Sequence, residues 1–313
     1  MSRQTIPGTP DEASPRHLAL EALRAEGEPL FAVLDSARDP RVLKLLEQSE
    51  EEYESLYEGP EGEQLAAVAP YLVRLSWDSA LLQPLVHGGW GRNWGVFLTS
   101  TLPFMETRRH LRKFLKVQDE KMRKRMYFRF YDPRVLRVFL PSCSPEQRME
   151  FGGPLGTFLL EDEKGKLLRF KVGSPGGARP VERPANAAVP LFFRMRKEQM
   201  EAFAEASRRD FENRMVIHLR NVLPGECEPL GEKELRETIR YGLRRTGTYR
   251  ISQESDVCLY LHLMLVLGRD FDNDERLPWA GLILNQLEQD PSDRIERVYS
   301  RAMELEDGRT GEA

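Results

Sequence analysis

Leu30-Phe-Ala-Val-Leu-Asp35, followed by Asp39-Pro-Arg-Val-Leu43, reads as a strand that ends in a helix start. The same five-residue string returns at Asp132-Pro-Arg-Val-Leu136, after Met126-Tyr-Phe-Arg-Phe-Tyr131. An Asp side chain accepts hydrogen bonds from the exposed N–H groups of a first helical turn. The Pro after it sacrifices nothing, because its missing N–H would have had no partner there. On this chemistry the string is scaffold. It predicts a fold in which short strands switch directly into helices.

Working outward, strands are expected over 30–34, 71–75, 94–100, 126–131, 157–160 and 167–172, short runs rich in β-branched and aromatic residues with Gly, Pro or Asp at their borders. Helices fit 40–50, 79–87, 103–117 and 133–140. Asp162-Glu-Lys-Gly165 joins the last two strands as a hairpin. Beyond the Gly/Pro-rich residues 173–190 the pattern turns helical: Met200, Phe203, Ala204, Phe211, Met215, Leu219 and Val222 recur every three or four residues. Further helices fit 232–245, 253–267, 278–287 and 292–305. The fold class is therefore an α/β (α+β) N-terminal lobe with a mixed sheet flanked by helices, plus an all-α C-terminal lobe packed beside it. The expected division is a flexible leader over 1–25, the α/β domain over 26–172, a linker over 173–190, the helical lobe over 191–306 and a disordered tail over 307–313.

The chain has 313 residues, 40% hydrophobic and 31% charged, a globular balance. It has neither an apolar run of membrane-spanning length nor a secretory signature at its start, and three widely spaced cysteines fit a reducing cytoplasm. Net charge is only −4, but residues 108–129 hold 10 Lys or Arg against Asp119 and Glu120. One concentrated basic segment in a near-neutral chain favours a local anionic partner over general nucleic-acid affinity. The stretch Arg108-Arg-His-Leu-Arg-Lys-Phe-Leu-Lys116 places Leu111, Phe114 and Leu115 on an apolar side and its charges on the opposite face, where they suit an acidic protein surface.

Reactive chemistry leaves no comparable mark. His17, His87, His110, His218 and His262 are far apart in sequence, and no metal site is expected from them. Cys143 has no activating base nearby in sequence, and no nucleophile elbow occurs. Gly88-Gly-Trp-Gly-Arg-Asn-Trp-Gly95 fails as a phosphate cradle, since it lacks G-K-[ST] and runs into a strand. It reads as a helix stop and strand entry, with Trp90 and Trp94 covering one end of the sheet, or as a protein-binding rim. No cofactor is expected.

Taken in order, these motifs resemble the effector-adaptor chaperones of bacterial type VI secretion systems (the Tap or TEC family). The resemblance is carried by Leu30-Phe-Ala-Val-Leu-Asp35 with Asp39-Pro-Arg, then Tyr53-Glu-Ser-Leu-Tyr-Glu-Gly59 and Leu65-Ala-Ala-Val-Ala-Pro-Tyr-Leu-Val-Arg74. Gly89-Trp-Gly-Arg-Asn-Trp-Gly95, Arg109-His-Leu-Arg-Lys-Phe-Leu115, Phe128-Arg-Phe-Tyr-Asp-Pro-Arg-Val-Leu136 and Phe151-Gly-Gly-Pro complete it, over roughly residues 28–172. The helical region resembles the lobe often joined to that domain, at Asp256-Val-Cys and Leu277-Pro-Trp-Ala280. The resemblance implies a cytoplasmic, non-catalytic protein that holds a toxic effector and helps load it onto the VgrG spike or its PAAR tip, with no nucleic acid bound. Protein-binding positions are expected at Arg74, Trp90, Arg92, Trp94, Arg109, Arg112, Arg129, Tyr131 and Arg134. Two other readings compete. One is a hydrolase or transferase whose Arg74, Arg109, Arg129 and Arg134 surround a phosphate-bearing substrate. The other is a nucleic-acid-binding regulator, which needs a continuous basic surface and salt-sensitive affinity.

Overall fold

The computed structural model describes residues 14–26, 29–173 and 192–310. The chain divides into two units, Met1–Ala204 and Glu205–Ala313. In chain order the strands of the first are β1 (Leu30–Asp35), β2 (Tyr53–Ser55), β3 (Pro70–Leu75), β4 (Gly95–Ser100), β5 (Lys116–Asp119), β6 (Arg125–Tyr127), β7 (Leu155–Glu161), β8 (Leu167–Lys171) and β9 (Phe193–Met195). Its helices are α1 (Pro15–Arg24), α2 (Arg41–Glu47), α3 (Gly59–Gln64), α4 (Leu82–Gly89), α5 (Phe104–Arg112), α6 (Pro133–Ser142) and α7 (Pro145–Gly152).

Six strands form one sheet in the order β2-β3-β1-β4-β7-β8, every pair antiparallel. The mixed directions expected of the sheet are confined to a second one, β6-β5-β9, where β5 and β9 run parallel. β1 is buried throughout. Phe31 and Val33 enter a core with Phe104, Leu111 and Phe139, while Leu30, Ala32 and Leu34 enter another with Leu20, Leu23, Leu46 and Leu85. A strand covered on both faces reads as the unbroken apolar run that the sequence shows. Burying each large side chain contributes about 1.5–3 kcal/mol.

Both DPRVL strings act as helix starts. Asp132 caps α6 by accepting from the Arg134 N–H at 3.0 Å, and Asp39 accepts from the Arg41 N–H at 3.0 Å ahead of α2. In each, the Arg two residues on also closes a fork onto the same carboxylate, with Nη2···Oδ2 2.6 Å. Asp274 and Arg276 repeat the device at 2.7 Å without the proline. The hydrogen bond from the Arg41 side chain holds the Asp39 carboxyl down at about 2, and Arg276 does the same for Asp274. A depressed carboxylate contributes stability that is complete above its ordinary value near 4 and is lost as pH falls through about 2. Carboxyl NMR titration is expected to place the Asp274 midpoint near 2, and Arg276→Gln to return it towards 4; an unchanged midpoint in the variant contradicts the fork.

Several boundaries differ from expectation. The helix expected over 103–117 ends at Arg112, and residues 116–119 are β5. The strand expected over 126–131 stops at Tyr127. Phe128 and Phe130 still point inward around exposed Arg129, but the chain is already turning into the Asp132 cap. The leader contains α1, started by Ser14 and Pro15, with Ala19, Leu20 and Leu23 buried. Residues 1–13, and the linker from 174 to 190, lie outside the described residues. The first unit also reaches past that linker, because β9 joins the small sheet and buries Phe193 and Met195 in the N-terminal core. α7 was not foreseen; its capping box is Ser144 with Gln147.

α8 (Lys197–Val222) crosses from one unit into the next. The second unit continues with α9 (Pro224–Cys227), α10 (Glu232–Thr248), α11 (Glu254–Leu267), α12 (Pro278–Leu284) and α13 (Pro291–Thr310). The tail expected from 307 is thus helical to Thr310, and 311–313 lie outside the described residues. α10 meets α11 closely at Gly242, where a Cβ would stand 2.4 Å from Leu261. Fully buried Arg294 donates to the Tyr249 and Leu284 carbonyls, at the C-terminal ends of α10 and α12. Those carbonyls carry the negative end of each helix dipole. No helix among the described residues is long and apolar enough to cross a membrane.

Candidate functional site

The first unit carries a cleft of about 390 Å³ lined by Leu56, Tyr57, Glu58, Leu65, Arg112, Lys113, Leu115, Lys116, Tyr127 and Phe192 among others. Two sheet edges frame it. Residues 56–58 follow β2, the terminal strand of the large sheet, and Tyr127 lies on β6, the terminal strand of the small one. Tyr57 and Tyr127 meet edge to face at 6.5 Å between ring centroids. Tyr127 is 61% exposed and Leu65 44% exposed. Lys116 Nζ stands over the Tyr127 ring at 5.5 Å, and the Arg125 guanidinium over Phe192 at 4.7 Å. An aromatic floor with a cationic rim suits a chain segment that offers both apolar and acidic side chains.

Two arginines of α5, one turn apart, hold the β2 side of this cleft. Arg108 donates from Nε to the Ser55 carbonyl at 2.8 Å and from Nη1 to Glu58 at 2.8 Å. Arg112 donates from Nε to the Leu56 carbonyl at 2.8 Å and also pairs with Glu58. These bonds keep the Glu58 carboxyl below its usual range, Arg112 contributing most. Arg108 is buried, so the basic stretch is not a uniform solvated face: part of it builds the wall, and exposed Lys113 and Lys116 supply the rim. Leu111, Phe114 and Leu115 enter the core, as their spacing predicts.

Of the positions singled out in the sequence, only Arg112 lines the cleft. Trp90, Trp94 and Tyr131 are buried and do not line the cleft. The Trp90 indole donates to the Gly165 carbonyl at 2.6 Å and so clamps the 162–165 hairpin turn. Trp94 lies under the Arg41 guanidinium at 5.0 Å. Burial pushes the Tyr131 hydroxyl well up, and its hydrogen bond to Tyr57 adds to this. Arg129 pairs with buried Asp35, whose carboxyl burial raises against the pull of that guanidinium. Arg134 is forked onto Asp132, exposed Arg74 lies 4.0 Å from Glu52, and Arg92 and Arg109 are exposed.

The Gly-rich loop does cradle an anion, and that anion is the protein's own. The N–H groups of Gly91 and Asn93, both at positive φ (84° and 57°), donate to the buried Glu161 carboxylate, the Asn93 bond measuring 2.6 Å. Burial raises the Glu161 carboxyl and these amides oppose the rise. Cys143 donates to the Phe139 carbonyl at 3.3 Å, and burial pushes its thiol up to about 12, the reverse of an activated nucleophile.

Three side chains that lie apart in the sequence come together in the second unit. His218 on α8 and His262 on α11 are adjacent, Nε2···Nε2 3.1 Å, with Cys258 Sγ 3.7 Å from His262 Nε2. The Cys258-x-x-x-His262 spacing puts both on one helix face and was the missed signal; no sequence rule links either to His218.

Among known proteins, residues 30–150 match the model of a family described as a domain of unknown function, DUF4123. No curated protein and no solved structure matches the chain. The matched span contains both DPRVL strings and the cleft residues apart from Phe192, whereas His218, Cys258 and His262 lie outside it.

Proposed function

We propose that the chain is a non-catalytic adaptor that holds a type VI secretion effector in the cytoplasm and helps load it onto the VgrG spike or its PAAR tip. The observation that carries this reading is the coincidence of the DUF4123 match over residues 30–150 with the ordered motif series, which resembles the effector-adaptor chaperones. The cleft supports it with a surface of suitable chemistry: an apolar and acidic segment of the effector lies across Tyr57, Leu65 and Tyr127, with its carboxylates towards Lys113 and Lys116. Covering such a segment keeps it from aggregating until the spike offers a second surface. The phosphate-substrate reading gains no support, because Arg129 and Arg134 already serve Asp35 and Asp132.

The test is a tagged pull-down from the native host to identify a bound effector, followed by co-expression with it and measurement of affinity. A 1:1 complex is expected, and the double substitution Lys116→Glu with Tyr127→Ala is expected to weaken it on the order of 30-fold, since an exposed aromatic anchor and a reversed charge are both lost. Both side chains are exposed, so the fold stays intact. Equal affinity in the variant removes the cleft from the account, and absence of any complex removes the adaptor.

A further inference from the structure

We infer that His218, Cys258 and His262 form a zinc site that staples α8 to α11 in the second unit. The three ligand atoms lie within 4.8 Å of one another. A tetrahedral zinc with bonds of about 2.0–2.1 Å to nitrogen and about 2.3 Å to sulfur places two nitrogens about 3.3 Å apart, and nitrogen and sulfur about 3.6 Å apart. The observed separations are 3.1 Å between the two Nε2 atoms and 3.7 Å from Cys258 Sγ to His262 Nε2. The two Nε2 atoms face each other, with the ring centroids 5.1 Å apart.

Hydrogen bonding alone serves this cluster poorly. His262 Nε2 offers either one lone pair or one proton, yet it faces both His218 Nε2 and the Cys258 thiol. If it accepts from one, the other is left without it. A divalent cation at the centre uses all three lone pairs at once. A neutral imidazole is the form that ligates, and it offers one lone pair. Metal binding releases the Cys258 thiol proton to solvent and forms the metal–sulfur bond. Two imidazoles and one thiolate are a borderline-soft donor set, which favours zinc over magnesium or calcium. Three protein ligands leave the fourth corner of the tetrahedron to a water.

The cluster joins α8 to α11 through residues that all belong to the second unit. Its role is therefore conformational. This inference stands apart from the adaptor reading and holds or falls without it.

The experiment uses the full chain without a histidine tag, stripped with chelator and titrated with Co2+ while absorbance is recorded. A single equivalent is expected to give tetrahedral cobalt bands and a thiolate-to-cobalt charge-transfer band, both abolished by Zn2+. Cys258→Ser is expected to remove the charge-transfer band, and His218→Gln to weaken Zn2+ affinity at least tenfold, whereas Cys143→Ser and Cys227→Ser leave the spectrum unchanged. Zn2+ is also expected to raise the thermal midpoint of the wild-type chain and not that of Cys258→Ser. Circular dichroism checks that the variants are folded, and the wild-type titration stands even where one is not. No band at stoichiometric Co2+, or bands that survive both Cys258→Ser and His218→Gln, overturns the site.

Discussion

Replacing Phe151 with alanine is expected to destabilise the first unit by about 3–5 kcal/mol. The ring is fully buried and packs against five others: Phe114 at 4.9 Å, Phe139 at 5.1 Å, Phe158 at 5.5 Å, Phe130 at 5.9 Å and Phe128 at 6.4 Å. They arrive from β7, α6 and the segments that follow α5 and β6, so no one neighbour can collapse into the space. Whole domains are stable by about 5–15 kcal/mol, and a loss of this size approaches the total. Urea unfolding followed by far-UV circular dichroism measures it. Met149→Ala on the same helix, where the residue is 42% exposed, is expected to change stability far less, by about 0.5 kcal/mol. Equal stabilities for the two variants contradict the proposed core.

In the second unit the comparable effect comes from a carboxylate. Asp272 is buried, and its Oδ2 accepts from Arg245 Nη2 at 2.6 Å, Tyr249 at 2.9 Å and Tyr260 at 2.5 Å. Burial and the hydrogen bond to Asp272 push the Tyr249 hydroxyl up to about 12. Asp272→Ala takes the shared carboxylate from a guanidinium and two hydroxyls, of which Arg245 and Tyr249 keep only their mutual hydrogen bond, at an expected cost of about 3 kcal/mol. The partial exposure of Arg245 places the value at the lower end of what breaking a buried pair costs. Asp272→Asn keeps an acceptor oxygen and is expected to lose less. Thermal unfolding distinguishes them, and an Asp272→Ala chain as stable as wild type refutes the network.

The fold was legible where local chemistry decides it. Asp39-Pro40 and Asp132-Pro133 announce their helices because cap and proline act within three residues, and β1 announces itself because both its faces are covered. β9 and β5 were not legible: each is short, and their pairing is between segments more than 70 residues apart. The site was less legible still. Trp90, Trp94 and Tyr131 carry the composition of an interface, but sequence does not reveal that Gly165, Arg41 and Tyr57 complete their surroundings. Tyr57, Lys116 and Tyr127 line the cleft only because two sheets end beside each other. The histidine pair failed for the same reason, since 44 residues separate its members.

The cleft is the proposed seat of the effector segment. Amide hydrogen exchange of the chain, free and in complex with the effector recovered from the native host, tests that directly. Slowed exchange is predicted at Tyr57, Glu58, Lys113, Lys116 and the β6 edge from Arg125 to Tyr127. A stable complex that slows exchange elsewhere and leaves those amides unchanged would contradict it.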